Sequence, residues 1–135
     1  MASQLYGKYK EAILTAGINL TTLDIKVVLV DSADYTLNIA TDQYLSSIAA
    51  GGRVGTSGNL ASKTVTLGVF DAADVTITGV TGDQFEYIVL YHDTGNASTS
   101  ELIAVIDTAT GIPCTPNGGD ITITWDNGAN KIFAL

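Results

Sequence analysis

Apolar and polar residues alternate along most of the chain, and this period of two predicts β-strands. The first run is 25–30, and similar runs follow at 64–69, 75–78, 85–91, 102–106, 121–125 and 131–135. Runs 85–91 and 102–106 are apolar in both alternating sets, so we expect them in the centre of a sheet. Short turns rich in Asp and Gly separate the runs, without βαβ alternation. The pattern therefore predicts an all-β protein, an antiparallel β-sandwich or a jelly-roll-like domain.

A helical repeat precedes the first strand. Its apolar side chains are Leu5, Tyr9, Ala12 or Ile13, and Ala16. This spacing predicts a short N-terminal helix, with Ser3 capping its start and Gly17 at its end. The alternative for residues 1–20 is an extended arm that contacts a neighbouring subunit.

One additional short helix is predicted between the first two strands. Thr41 or Asp42 is placed to cap it, and the glycines at 51–52 to end it. Its apolar stripe consists of Tyr44, Leu45 and Ile48. Residues 53–59 are rich in Gly and Ser and are predicted to form a loop.

An Asp-Asn-Gly turn at 126–128 lies between the last two alternating runs. Asn-Gly in this position is a strong hairpin signal, so 121–125 and 131–135 are predicted to pair with each other. The last four residues are apolar, and we expect them inside a sheet. Because the chain has no linker, internal repeat or low-complexity tract, the sequence predicts a single domain over 1–135.

The content of charged residues is low, which suits a protein that packs against other subunits and also suits some extracellular β-domains. Only 15% of the 135 residues are charged, against about 25% in typical soluble domains. A surface of hydroxyls and amides suits a protein that packs against other subunits. The net charge is −8 and the six cations are scattered. Binding to nucleic acid or to an anionic membrane requires a cluster of basic residues, and the sequence has none. Neither is therefore an expected partner.

The location of the protein is predicted from its N-terminus, its apolar stretches and its cysteine. Residues 1–10 lack the basic and apolar regions of a signal peptide. No apolar stretch approaches the roughly 20 residues of a membrane-spanning helix. The single cysteine, Cys114, excludes an intrachain disulfide. We therefore expect a chain that is made in the cytoplasm and stays soluble.

Residues suited to catalysis are few. The single histidine, His92, ends a strand and precedes Asp93; a structural role is favoured over a general base oriented by a carboxylate. Cys114 stands between prolines without a catalytic motif. Glu86 and Glu101 begin adjacent strands and are expected to be solvated rather than to form a glycosidase pair. We predict no enzyme activity and no catalytic, cofactor-binding or metal site.

Aspartate outnumbers glutamate by eleven to three. Most aspartates lie at predicted strand ends, where the side chain binds nearby backbone amides in turns. The alternative is calcium binding, with Asp71 and Asp74, or Asp93 and Asn96, as contributors. The sequence has no EF-hand spacing, so turn formation is the favoured interpretation.

The aromatic residues divide between core and surface in this interpretation. Trp125 shares a strand face with two isoleucines and is predicted to lie in the core. Tyrosine is enriched at protein interfaces. The tyrosines predicted at an interface are Tyr6, Tyr9, Tyr35 and Tyr44.

Four segments of the chain resemble a family of small structural proteins from the virions of tailed bacteriophages. They are IKVVLVD at 25–31, KTVTLGVFDAADVT at 63–76, LIAVIDTATGIP at 102–113 and PNGGDITITWDNG at 116–128. The resemblance extends over most of the chain from Leu5 onward. Its motifs are strands and turns, so it transfers no functional residue.

The resemblance implies a capsid decoration, or cement, protein that binds the outer shell of the phage head and stabilises it. The expected location is the virion, after synthesis in the host cytoplasm. Expected partners are the major capsid protein and further copies of this chain, with a trimer suited to capsid threefold positions. Residues 5–18 are the expected contact element. The alternatives are a tail, baseplate or head–tail connector subunit, and a carbohydrate-binding module of a fibre with surface aromatics.

Overall fold

The computed structural model of the protein describes residues 2–135. These residues form antiparallel sheets and one α-helix, so the predicted all-β, sandwich-like class is confirmed. The helix α1 is Gly7–Leu14, and no helix in the described part of the chain is long and apolar enough to cross a membrane. The strands are β1 (Ala2–Leu5), β2 (Ile25–Val30), β3 (Arg53–Thr56), β4 (Thr64–Thr66), β5 (Val69–Asp71), β6 (Val75–Ile77), β7 (Tyr87–His92), β8 (Leu102–Thr108), β9 (Ile121–Ile123) and β10 (Phe133–Ala134).

A five-stranded antiparallel sheet, in the order β1-β8-β7-β2-β3, contains the most deeply buried strands. Leu29 of β2 lies opposite Ile88 of β7, and Val28 lies opposite Val89. Because side chains alternate along a strand, these two pairs lie on opposite faces. All four side chains are buried. The predicted central position of the two-sided apolar runs is therefore confirmed for β7 and β8.

Both faces of the five-stranded sheet are covered, which explains why its inner strands are apolar throughout. On one face, a Cβ atom built on Gly55 would lie 3.3 Å from a Val80 methyl and 3.6 Å from an Ile77 methyl. On the opposite face, the rings of Tyr35 and Tyr87 pack edge to face with centroids 6.4 Å apart. The core therefore extends above and below the sheet.

Two smaller sheets complete the fold: a three-stranded sheet in the order β10-β5-β4, and the pair β6 and β9. The Phe133 ring of β10 connects the three-stranded sheet to α1. Its centroid lies 6.1 Å from that of Tyr9 in α1 and 5.4 Å from that of Phe70 in β5. The last strand thus belongs to a sheet, as predicted, but as its outer strand. The hairpin predicted at 126–128 is wrong, because β9 pairs with β6 and β10 with β5. Asp126 instead closes a local turn onto a backbone N–H two residues on.

The N-terminal helix begins later than the sequence predicted. Residues 2–5 form β1 and pair with β8, so Ser3 lies in a strand and does not cap the helix. α1 begins at Gly7 without a side-chain hydrogen bond at its cap. It ends before Ala16, which takes the left-handed φ of 58° in place of Gly17. Pairing with a distant strand overrides the local helical period of these residues.

The second predicted helix is replaced by two short 3-10 turns, Leu45–Ser47 and Ala50–Gly52. Asp42 caps neither of them, because its carboxylate binds the Tyr35 hydroxyl at 2.6 Å and a backbone N–H at 2.9 Å. The prediction of a loop at 53–59 is also wrong for residues 53–56. Those residues form β3, which pairs with β2.

Trp125 is buried, as predicted, with only 3% of its surface exposed. Its indole N–H donates a hydrogen bond to the carbonyl of Ala73 at 3.0 Å, and its backbone N–H donates to the carboxylate of Asp74 at 2.9 Å. These bonds satisfy the polar groups that burial would otherwise leave without partners.

Candidate interaction surface

The run 64–69, predicted as one strand, is broken by a tight hairpin turn. Thr66 of β4 lies opposite Val69 of β5, so the turn consists of Leu67 and Gly68 alone. Their φ angles are 51° and 78°. Two positive φ values in a two-residue hairpin are typical of a type I′ turn, which favours Asn-Gly. The alternation of apolar and polar residues continues through Leu67, so it does not reveal the turn. Gly68 is the one residue in the sequence that indicates it.

Leu67 contributes little to the stability of the folded chain. A left-handed backbone conformation costs a residue with a bulky side chain about 1–2 kcal/mol. The side chain is 98% exposed, so burial does not offset this cost. Local rules are broken in this way mainly at functional sites. Leu67 is thus an apolar side chain held in solvent at the tip of a tight turn.

Two further apolar side chains extend this surface. Val65 of β4 is 51% exposed and Leu135 is 69% exposed. The backbone N–H of Leu135 donates a hydrogen bond to the carbonyl of Gly68 at 2.9 Å, which fixes the end of the chain beside the turn. We call Val65, Leu67 and Leu135 the leucine rim.

A groove of about 740 Å³ begins at Leu135 and runs between β10 and β1. We call it the β1–β10 groove. β1 and β10 are the outer strands of their respective sheets, so each has a strand neighbour on one side only within residues 2–135. The lining residues are Ser3, Gln4, Leu5, Gly7, Lys10, Ile39, Ala40, Ala134 and Leu135. Lys10 carries the one ionisable side chain among them. The groove is therefore mostly apolar, with Ser3, Gln4 and Lys10 as its polar side chains, and it contains no carboxylate side chain.

The tyrosines predicted at an interface are mostly in the core, which corrects the sequence interpretation. Tyr6, Tyr9 and Tyr35 are 0%, 2% and 4% exposed, and Tyr44 is half-buried. Burial is the main cause that raises the pKa of Tyr9 to about 12, and it also raises the pKa values of Tyr6 and Tyr35. The contact surface of the N-terminal third is therefore not built from these phenol rings.

The surroundings of His92 do not form an acid–base pair. The Asp93 carboxylate that follows it lies 2.6 Å from the Lys26 ammonium and accepts a backbone hydrogen bond from Gly95 at 3.0 Å. The Lys26 bond is the main cause that lowers the pKa of Asp93. Nδ1 of His92 is buried without a hydrogen-bond partner in the described part of the chain. The imidazole thus lacks the orienting carboxylate that a general base requires.

Glu86 and Glu101 lie at opposite ends of the five-stranded sheet. They precede the antiparallel strands β7 and β8, in which Tyr91 lies opposite Leu102. The backbone N–H of His92 donates to the carbonyl of Glu101, so about six residues of strand separate the backbones of Glu86 and Glu101, or roughly 20 Å. Glycosidase carboxylates lie about 5–10 Å apart. Glu86 instead binds the hydroxyl and the backbone N–H of Ser32, both at 2.8 Å.

Most of the aspartates that have partners bind backbone amides, some of them within a few residues and others far along the chain. Asp31, Asp93 and Asp126 each accept a backbone hydrogen bond from two residues on, and Asp74 binds the backbone of Trp125. The pairs considered for calcium do not form a cluster of three or more acidic groups. Within residues 2–135, the three acidic groups that do cluster are Asp31, Asp34 and Asp83, each with one carboxylate oxygen within 4.8 Å of the others.

Cys114 is half-buried on the wall of a second groove of about 450 Å³. Its backbone exchanges hydrogen bonds with Phe85 at 2.9 and 3.0 Å, which anchors the turn. The floor of this groove is apolar and includes Leu29 and Ile88, and its one lining carboxylate is Asp126. No histidine or lysine lines the groove, so no base is placed there to activate the thiol.

Comparisons with known proteins do not assign the chain to a family: no protein-family description and no curated protein sequence matches it.

Proposed function

We propose that this chain is a structural protein of a tailed-phage virion that decorates the capsid, binding the outer shell and stabilising the head. The observation that carries the proposal is Leu67, a leucine held in solvent at a backbone cost. Burial of this side chain against another protein would offset that cost. The resemblance of four sequence segments to small virion proteins supports the same role.

The rest of the surface suits protein contacts through hydroxyl groups. Thr64 and Thr66 on β4 are exposed, and so are Thr76 on β6 and Thr122 on β9. The last two share a hydrogen bond of 2.9 Å between their hydroxyls. A shell binder with these groups forms hydrogen bonds and apolar contacts without the desolvation of many charges.

The aromatic residues do not favour a carbohydrate-binding module. Sugar rings stack on exposed aromatic side chains, and a sheet face with several of them would be required. Eight of the ten aromatic residues are buried, including Trp125 and Phe85. The other two, Tyr44 and Tyr87, are half-buried.

The experiment that tests the proposal is the copy number of the chain in purified phage particles, measured by mass spectrometry against the major capsid protein. We expect hundreds of copies, in a fixed ratio to the shell protein. Particles that lack the chain should lose their DNA at a lower temperature than complete particles. A few to a few dozen copies would overturn capsid decoration in favour of a tail, baseplate or connector position. Absence from the particle would refute a virion role altogether.

A further inference from the structure

We propose that copies of this chain associate head to tail: β4 of one copy lies alongside β10 of the next, and its Leu67 enters the β1–β10 groove. This inference goes beyond the proposed function, because the same contact would join copies in a head, in a tail or in free solution. It assigns to the leucine rim a definite partner, which is a second copy of the chain.

The order of the three-stranded sheet makes this contact geometrically natural. β4 and β10 are its two outer strands, and both are antiparallel to β5, so they run parallel to each other. Thr66, Val69 and Ala134 form one row across the sheet. When β4 of one copy lies along the outer edge of β10 of its neighbour in the register of this row, Thr66 of the first copy lies beside Ala134 of the second, in parallel pairing.

The same strand register brings the apolar side chains together. Leu67 follows Thr66, and Leu135 follows Ala134, so Leu67 of one copy arrives beside Leu135 of the next. Leu135 lines the mouth of the groove, whose apolar walls include Leu5 and Ile39. The contact would bury the 98% exposed Leu67 and part of the 69% exposed Leu135.

Charge favours this pair of surfaces over others. The chain carries a net charge of −8, so two copies repel each other on most approaches. β4 contains no ionisable side chain, and the groove contains only Lys10. Neither surface presents a carboxylate side chain, so copies can meet there without placing two acidic groups in contact.

The size of the contact predicts weak pairwise association, which closure into a ring would strengthen. A stable interface usually buries about 800 Å² on each partner. Two short strand edges and a few apolar side chains provide less than that. A head-to-tail contact uses different surfaces on each copy, so a ring closes when the rotation allows it. In a closed ring every copy makes two contacts, one through β4 and one through the β1–β10 groove, and this raises the overall affinity.

Sedimentation equilibrium of the purified chain, from micromolar to millimolar concentration, tests the association. We expect the mass to rise above the 14.0 kDa monomer as concentration increases. Leu67→Asn places Asn-Gly in the type I′ turn, so it should raise Tm by roughly 2–6 °C. The same substitution should weaken association roughly tenfold or more, because it removes one buried leucine. A substitution that stabilises the fold while weakening assembly cannot be explained by unfolding.

The matched control is Leu14→Gln, which removes a leucine that is 87% exposed at the end of α1, outside the hairpin and the groove. It should leave association unchanged. The inference is overturned if the wild-type chain stays monomeric to millimolar concentration, if Leu67→Asn associates like the wild type, or if Leu14→Gln weakens association equally.

Disulfide trapping tests the direction of the contact. Two single variants, Leu67→Cys and Leu135→Cys, are prepared on a Cys114→Ser background and oxidised separately or mixed. Head-to-tail contact predicts a crosslinked dimer in the mixture, in higher yield than in either variant alone. Dominant dimers of Leu67→Cys with itself would show a symmetric tip-to-tip contact and overturn the proposed arrangement.

Discussion

A buried chain of hydrogen bonds joins the start of α1 to the segment that covers the five-stranded sheet. The Tyr35 hydroxyl donates to a carboxylate oxygen of Asp42 at 2.6 Å. Its oxygen lies 3.0 Å from the Tyr6 hydroxyl. Since the single Tyr35 proton goes to Asp42, the Tyr6 hydroxyl must donate to Tyr35. The order of donation makes the two tyrosines unequal, and this inequality can be measured.

Tyr6→Phe removes one neutral hydrogen bond and should cost about 0.5–1.5 kcal/mol of unfolding free energy. Tyr35→Phe removes the stronger bond to the carboxylate and leaves the Tyr6 hydroxyl, which is 0% exposed, without an acceptor. It should cost about 2–4 kcal/mol. The double variant removes the stranded hydroxyl as well. It should therefore be about 1 kcal/mol more stable than Tyr35→Phe alone.

Urea unfolding at neutral pH, followed by the fluorescence of the buried Trp125, measures these differences directly. The reasoning fails if Tyr6→Phe costs as much as Tyr35→Phe, or if the double variant is less stable than Tyr35→Phe. High pH provides an independent check. Burial raises the pKa values of Tyr6 and Tyr35, so their contribution is complete below pH of about 10 and is lost as the pH rises further.

Three other substitutions test single backbone or charge features, each by urea unfolding. Ala16→Gly should stabilise the chain by about 0.5–1 kcal/mol, because Ala16 has a φ of 58°, and a destabilised variant would contradict this. Gly7→Ala should destabilise it although alanine favours helices, since the new Cβ would lie 2.9 Å from the carbonyl oxygen of Ala40; a gain in stability would refute the close approach. Asp93→Asn should lower stability at neutral pH. Lys26, and to a smaller extent a backbone amide, lower the pKa of Asp93. The carboxylate therefore stabilises the fold at neutral pH, and this contribution is lost as the pH falls through the lowered pKa. The deficit of Asp93→Asn should shrink accordingly as the pH falls below about 4. A deficit independent of pH would contradict the assignment.

The inner strands were predictable because their signal is local. β2, β7 and β8 are runs of apolar and β-branched residues covered on both faces, and such runs have few alternatives to a central strand. The turn role of aspartate was predictable for the same reason. Asp31 and Asp93 bind amides two residues away, so the partner lies within the same few residues.

The outer strands were not predictable because their partners are distant. Leu5 of β1 belongs to the helical spacing that continues into α1, and only the pairing of Ser3 with Ile106 and of its neighbours with the rest of β8 makes residues 2–5 a strand. β3 has no apolar alternation and forms because the edge of β2 is available. The Asn-Gly turn at 126–128 is correct as a turn. Its strands pair elsewhere, and no local pattern encodes the identity of a pairing partner.

The candidate surface was missed for a different reason. Tyrosines are enriched at interfaces, which predicts contacts there, but they are equally able to fill a core when their hydroxyls find partners. Leu67 was counted as one member of an alternating set. Only its backbone conformation and its exposure distinguish it from the buried leucines.

The pairing of β1 with β8 has a consequence for the order in which the protein folds during its synthesis. Ala2 lies opposite Thr108, so the first strand to leave the ribosome must wait for one of the last. β7 and β8, which are neighbours in sequence as well as in the sheet, have a much shorter loop to close and should pair first. Until then the nascent N-terminal segment has an unsatisfied strand edge, and its neutral Ser3 and Gln4 offer little charge to prevent mispairing. We therefore expect β1 to join the five-stranded sheet late, after β7 and β8 have paired.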